Sequence, residues 1–119
     1  MAGPSRRVDR LADQIRAEIA TLMTEELRDP RIAFSTVTRV DLTADLSRAR
    51  VMVSVLGSPE AQQATLDGLS SATGFIRYEM SHRLRLRRSP ELVFVLDHGA
   101  EEALKIESLL NELQKPQEK

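Results

Sequence analysis

The spacing of apolar residues changes between Leu27 and Phe34, and that change dictates a mixed fold. Upstream, Val8, Leu11, Ala12, Ile15, Ile19, Leu22, Met23 and Leu27 recur mostly at steps of three and four, which places them on one stripe of a helix. Ser5 can cap that helix, because its hydroxyl can accept an early backbone N–H. Pro30 disfavours helical geometry at Asp29, so the helix is expected to stop near Arg28. Downstream, Phe34, Thr36, Thr38, Val40 and Leu42 alternate with Ser35, Val37, Arg39 and Asp41, the period of a strand.

The rest of the chain continues the alternation of types. Thr43 to Ser47 reads as a turn, and Arg48 to Leu56 as a second strand with Ala49, Val51, Val53 and Val55 on one face. So short a link suits an antiparallel hairpin. Ser58 fits an N-cap, Pro59 the first helical position and Glu60 the positive end of a helix that runs to about Ser71. Its apolar residues, Ala61, Ala64, Leu66, Leu69 and Ala72, are mostly small. Gly74 separates two helical patterns and permits a kink. After it, Ile76, Met80 and Leu84 form a core-facing seam, and Pro90 ends the helix. At about 100° per residue, Arg77, Arg85 and Arg88 fall on another face, with Tyr78 beside Arg85. Leu92 to Leu96 is a continuous apolar strand, expected to be buried on both faces. Asp97-His98-Gly99 turns the chain, and Ala103, Ile106, Leu109, Leu110 and Leu113 mark a last amphipathic helix rich in acids. The order α-β-β-α-kink-α-β-α predicts an α+β domain, a three-stranded sheet with helices packed on one face. One domain is expected over residues 6–113, with flexible termini at 1–5 and 114–119.

Composition excludes several function classes. The 119 residues contain no cysteine, which removes disulfides, thiolate metal sites and cysteine nucleophiles. No apolar run approaches the ~20 residues of a membrane span, and Arg6, Arg7, Asp9 and Arg10 interrupt any signal-peptide core. A cytoplasmic protein with no membrane contact is expected. His82 and His98 stand apart from any nucleophile or carboxylate pair, so neither catalysis nor a cofactor is expected. Asp97-His98 reads as a helix cap, and Asp41 and Asp45 as solvated or capping carboxylates rather than metal ligands. The net charge of −1 hides a zoned distribution. Residues 75–90 hold five arginines and one acid, whereas residues 91–119 hold seven acids and three lysines. A basic segment is a local attractor for phosphate, since screening acts over ~8 Å at physiological salt; the plainer reading is a solvated helix face.

The residues Asp29-Pro30-Arg31, Val37-Thr38-x-Val40, Asp45-Leu46-Ser47-x-Ala49-x-Val51, Ala72-Thr73-Gly74-Phe75-Ile76-Arg77 and Pro90-Glu91-Leu92-x-Phe94 occur in this order and spacing. Together they resemble the ribosome-binding factor A family, bacterial assembly factors of the small ribosomal subunit, over roughly Arg6 to Leu113. The resemblance implies a type II KH-like fold in which an Ala-x-Gly joint replaces the GxxG loop that clamps nucleotides in KH domains. It further implies binding to free 30S subunits and 16S rRNA late in maturation, around the 5′-terminal helix and decoding region. It implies a role in rRNA processing without catalysis, and action alongside ribosome-assembly GTPases. A monomer is expected. The candidate RNA-binding residues are Arg77, Arg85, Arg87, Arg88, Thr73, Gly74 and Arg31. The competing reading is a protein-interaction module whose acidic last helix docks a basic partner.

Overall fold

The computed structural model describes residues 3–99 together with residues 109, 110 and 113. Its elements are α1 (Gly3–Glu25), β1 (Ser35–Leu42), β2 (Arg48–Val55), α2 (Pro59–Ser71), α3 (Thr73–Leu84) and β3 (Glu91–Leu96). The sheet order is β1-β2-β3, with β1 antiparallel and β3 parallel to β2. This is the expected α+β arrangement of helices over a three-stranded sheet. The final helix expected over Ala103–Leu113 lies outside the described residues, apart from Leu109, Leu110 and Leu113, and so does the 114–119 terminus.

The core lies between one face of β2 and the helices. Ala49, Val51 and Val53 of β2 are fully buried with Ile15, Ile19 and Leu22 of α1, Leu69 of α2 and Ile76 and Met80 of α3. The sequence stripes of α1 and α3 are therefore the packed faces. The opposite face of β2 carries Arg48, Arg50, Met52 and Ser54, none of them buried.

Four expectations are corrected. The first is the phase of β1. Its buried residues are Val37 and Val40, one from each alternating set, because the register jumps between Val37 and Arg39. This bulge gives Thr38 no partner residue and flips the strand's faces, leaving Phe34 exposed. Thr38 is held instead by its hydroxyl, which donates to Asp97 Oδ2 at 2.6 Å. That bond, followed by the Gly99 N–H, lowers the pKa of Asp97 from the ordinary carboxylate value. The second is β3, which pairs only with β2 among the described residues. Val93 is 44% exposed and Phe94 only partly buried, because among the described residues no helix covers the outer face of the sheet.

The third correction concerns α2. Its buried residues are Gln62, Thr65, Gly68 and Leu69, not the alanines. The Thr65 hydroxyl accepts the Ala33 N–H at 3.0 Å and donates to Ala61 O at 2.8 Å, so a buried polar residue fastens the α1–β1 connection to α2. Ser58 caps α2 as its position predicts, accepting the Ala61 N–H at 3.1 Å. The fourth is Gly74. The break between α2 and α3 is made by Ala72, at φ −90° and ψ 3°, whereas a Cβ on Gly74 would meet nothing within 4 Å. The packing glycine is Gly68, where a Cβ would lie 2.8 Å from Ile32 Cγ1 and 3.4 Å from Arg31 Cβ.

The two glycines should respond oppositely to the same substitution. Gly74→Ala is expected to stabilise by up to ~1 kcal/mol, because alanine is the better helix former and meets no neighbour. Gly68→Ala is expected to destabilise by ~1–3 kcal/mol through overpacking against Ile32. Urea denaturation of both variants checks this, and a loss of stability in Gly74→Ala would reinstate a strained joint.

Candidate nucleic-acid interface

Arg77 lies on α3, but its guanidinium is already engaged. It donates to Ser89 O at 2.8 Å and to Ser89 Oγ at 3.3 Å, tying the segment before β3 to the helix. Arg83 is a second structural arginine. It lies 3.6 Å from Glu18, 3.5 Å from Glu26 and 3.4 Å from Glu79, and so links α1 to α3.

Contrary to expectation, Arg77, Arg85 and Arg88 do not share one helix face, because α3 stops at Leu84. Arg85 turns into left-handed geometry at φ 56° and ψ 46°. Its N–H donates to His82 O at 3.3 Å, and the Leu86 N–H donates to Ser81 O at 2.9 Å. These two bonds make a Schellman ending, and the position that Arg85 fills usually belongs to glycine. Leu86 then packs against the core, while Arg85, Arg87 and Arg88 are exposed on the short segment around it. None of the three has an acidic partner among the described residues.

These arginines line a continuous face. An open groove of about 810 Å³ runs along α3, lined by Gly74, Arg77, Tyr78, Arg85 and Arg87 among others. Arg87 also lines a second groove of about 230 Å³, shared with Arg88, Leu11 and Leu46. Leu11 and Leu46 in turn border a third groove, of about 370 Å³, which contains Arg7 and Arg10 of α1. Arg7 and Arg10 were not expected here, because acids and bases balance in the first 33 residues. The missed signal was helical spacing: Arg7, Arg10 and Gln14 share one side of α1, whereas Asp9, Asp13 and Arg16 face the opposite groove beside β1.

The other candidates fall elsewhere. The Arg31 guanidinium forks onto Asp29, with Nη2 2.6 Å from Oδ2 and Nε 3.0 Å from Oδ1, and lines none of the three grooves. Thr73 turns its hydroxyl back to Leu69 O at 3.1 Å. The arginines of the open sheet face are paired: Arg39 and Arg50 with Asp41, and Arg48 with Glu91. Among the described residues, no group of histidine, aspartate and glutamate could hold a metal ion, and no helix is long and apolar enough to cross a membrane.

The hairpin turn that presents Leu46 is fixed by Asp45. Its Oδ1 accepts the Ser47 hydroxyl at 2.7 Å, the Thr43 hydroxyl at 2.8 Å and the Ser47 N–H at 3.1 Å. These bonds, the Ser47 hydroxyl foremost, hold the Asp45 pKa down at about 2. Leu46 itself has φ 63°.

The family model described as ribosome-binding factor A matches residues 7–110. The chain belongs to the ribosome-binding factor A family. It is 45% identical to the Thermomicrobium roseum member over 98% of this chain and 90% of that one. The crystal structure of the Thermus thermophilus member superposes with a TM-score of 0.67 at 29% identity, covering 75% of this chain and 94% of that one. A homology model of the Thermus thermophilus ribosome-binding factor A, fitted into the cryo-EM map of a 30S complex, gives a TM-score of 0.65 at 29% identity, over 77% of this chain and 97% of that one.

Arg85→Gly should raise the melting temperature, because left-handed geometry costs an L-residue ~1–2 kcal/mol that glycine avoids. Arg77→Gln should lower it, through loss of the bonds to Ser89; the opposite ranking would show that Arg77 is not structural. Asp45 sets a pH dependence. Its folded pKa lies below the ordinary 3.8, so its stabilisation is complete above that pH and is lost as pH falls towards about 2. Asp45→Asn should flatten the stability–pH curve in that window.

Proposed function

We propose that this chain is a ribosome-binding factor that binds the free small ribosomal subunit through 16S rRNA, using the arginine face around the end of α3. The observation that carries the reading is the contrast between arginines. Arg31, Arg39, Arg48, Arg50 and Arg83 are matched with acids, whereas Arg7, Arg10, Arg85, Arg87 and Arg88 line contiguous grooves and form no ion pair among the described residues, although Asp45 shares the second groove. A planar guanidinium donates paired hydrogen bonds to phosphate and stays charged at any cellular pH. The family and the 30S complex of its Thermus thermophilus member support the choice of rRNA. In this reading the protein acts as a cytoplasmic monomer late in small-subunit maturation, near the 5′-terminal helix and decoding region. It aids rRNA processing without catalysis, alongside ribosome-assembly GTPases. Gly74 contributes by leaving open backbone at one end of the α3 groove.

Binding to purified free small subunits across a salt series tests the reading. The Arg85→Gln, Arg87→Gln, Arg88→Gln triple variant should bind more weakly, with a log–log salt slope flatter by up to ~2 units. Folding should hold, because exposed charges are worth under ~1 kcal/mol each. The Arg39→Gln, Arg50→Gln variant serves as the control and should bind as wild type. Wild-type affinity in the triple variant would overturn the arginine face and favour docking of a basic protein by the acidic C-terminal end.

A further inference from the structure

We infer that the groove along α3 holds one unstacked nucleotide of single-stranded RNA, its base laid on Tyr78 and its phosphate met by Arg85 and Arg87. The inference rests on the RNA-binding reading above and adds how this part of the face engages its ligand.

Three observations meet in this groove. Tyr78 and His82, one helical turn apart, stack with ring centroids 5.9 Å apart and planes within 6°. Tyr78 is nevertheless 66% exposed, so His82 fixes the ring's orientation while much of its surface faces solvent. An exposed aromatic held flat is the platform on which an unpaired base stacks, and every base has a face that fits it. The second observation is Ser81. The residue lines the same groove, while its Oγ is buried and has no hydrogen-bond partner among the described residues. A helical serine ordinarily returns its hydroxyl to a preceding carbonyl. This one makes no such bond, so turning it about χ1 toward a base edge or ribose 2′-hydroxyl in the groove breaks no hydrogen bond. The third is charge and room. Arg85 and Arg87 border this open groove of about 810 Å³ without acidic partners among the described residues. A base inside a duplex cannot present its face to Tyr78, so the groove selects single strands, while the arginines alone accept any phosphate backbone.

The sequence supplies its own reporter: Tyr78 is the only tyrosine, and there is no tryptophan. The full chain is titrated with fluorescein-labelled oligouridylate and, separately, with a labelled blunt RNA duplex of equal length. Label polarisation reads binding, and tyrosine fluorescence, corrected with free tyrosine, reads stacking. Both RNAs should bind at low salt, but only the single strand should quench Tyr78. Tyr78→Leu should weaken single-strand binding about ten-fold and leave duplex binding unchanged, whereas Tyr78→Phe should restore single-strand affinity. Far-UV circular dichroism confirms that each variant is folded. Binding of both RNAs without quenching, or with no effect of Tyr78→Leu, overturns the nucleotide groove and leaves the arginine face standing. Failure of the wild type to bind either RNA overturns both.

Discussion

The parallel pairing of β3 with β2 is the constraint on which the rest of the structure depends. Parallel neighbours cannot be joined by a hairpin, so the chain must cross over between them, here through α2 and α3. Val51 and Val53 of β2 are fully buried and pair with Phe94 and Leu96 of β3, which fixes where the crossover returns. It returns beside the β1–β2 hairpin: the Glu91 N–H donates to Ser47 O at 2.9 Å, and Arg48 lies 3.3 Å from Glu91. The segment carrying Arg87 and Arg88 is thereby delivered to Leu46 and to the flank of α1 at Leu11. Residues more than 70 positions apart in the sequence, Arg7 and Arg85 among them, reach one face because a strand pairs in parallel.

Electrostatics then divides the arginines by role. Arg83 sits among Glu18, Glu26 and Glu79 and holds α1 to α3; Arg77 holds the segment before β3 through Ser89. Both belong to the basic stretch, yet their donors are committed inside the protein. The arginines left over are those on the exposed segment after α3, where the Schellman ending and the packing of Leu86 against the core leave them without an ion pair among the described residues. Charge zoning along the chain therefore overstates the number of free cations in the basic segment and misses those supplied by α1.

The same face gathers residues that folding alone does not favour. Arg85 and Leu46 are the non-glycine residues with positive φ among those described, each at a position where glycine would be the cheaper choice. Ser81 leaves a buried hydroxyl without a partner among the described residues, and Gly74 weakens the first turn of α3 without any packing need. Local departures of this kind concentrate at functional sites, where a side chain or an open backbone is kept for what it contacts. Their grouping around the grooves on α3 and the hairpin agrees with the placement of the free arginines.

The sequence by itself determined the elements. The stripe from Ala12 to Leu22, the Ser58-Pro59 start of α2, the Ile76–Met80 seam and the motifs of the family were all legible, because periodicity, capping and spacing are local properties of the chain. The tertiary structure alone decided what depends on partners distant in sequence. The bulge at Thr38 arises from pairing with β2 and a bond to Asp97, so no window of β1 could reveal which alternating set faces inward. Thr65 and Gly68 are core residues only because the 31–33 segment lies against α2. The early stop of α3 reflects the packing of Leu86 against the core, which outweighs the helical pattern continuing to Arg88. Which arginines are free is a matter of which acids the fold brings within reach, and that was settled only when α1, the hairpin and the crossover met.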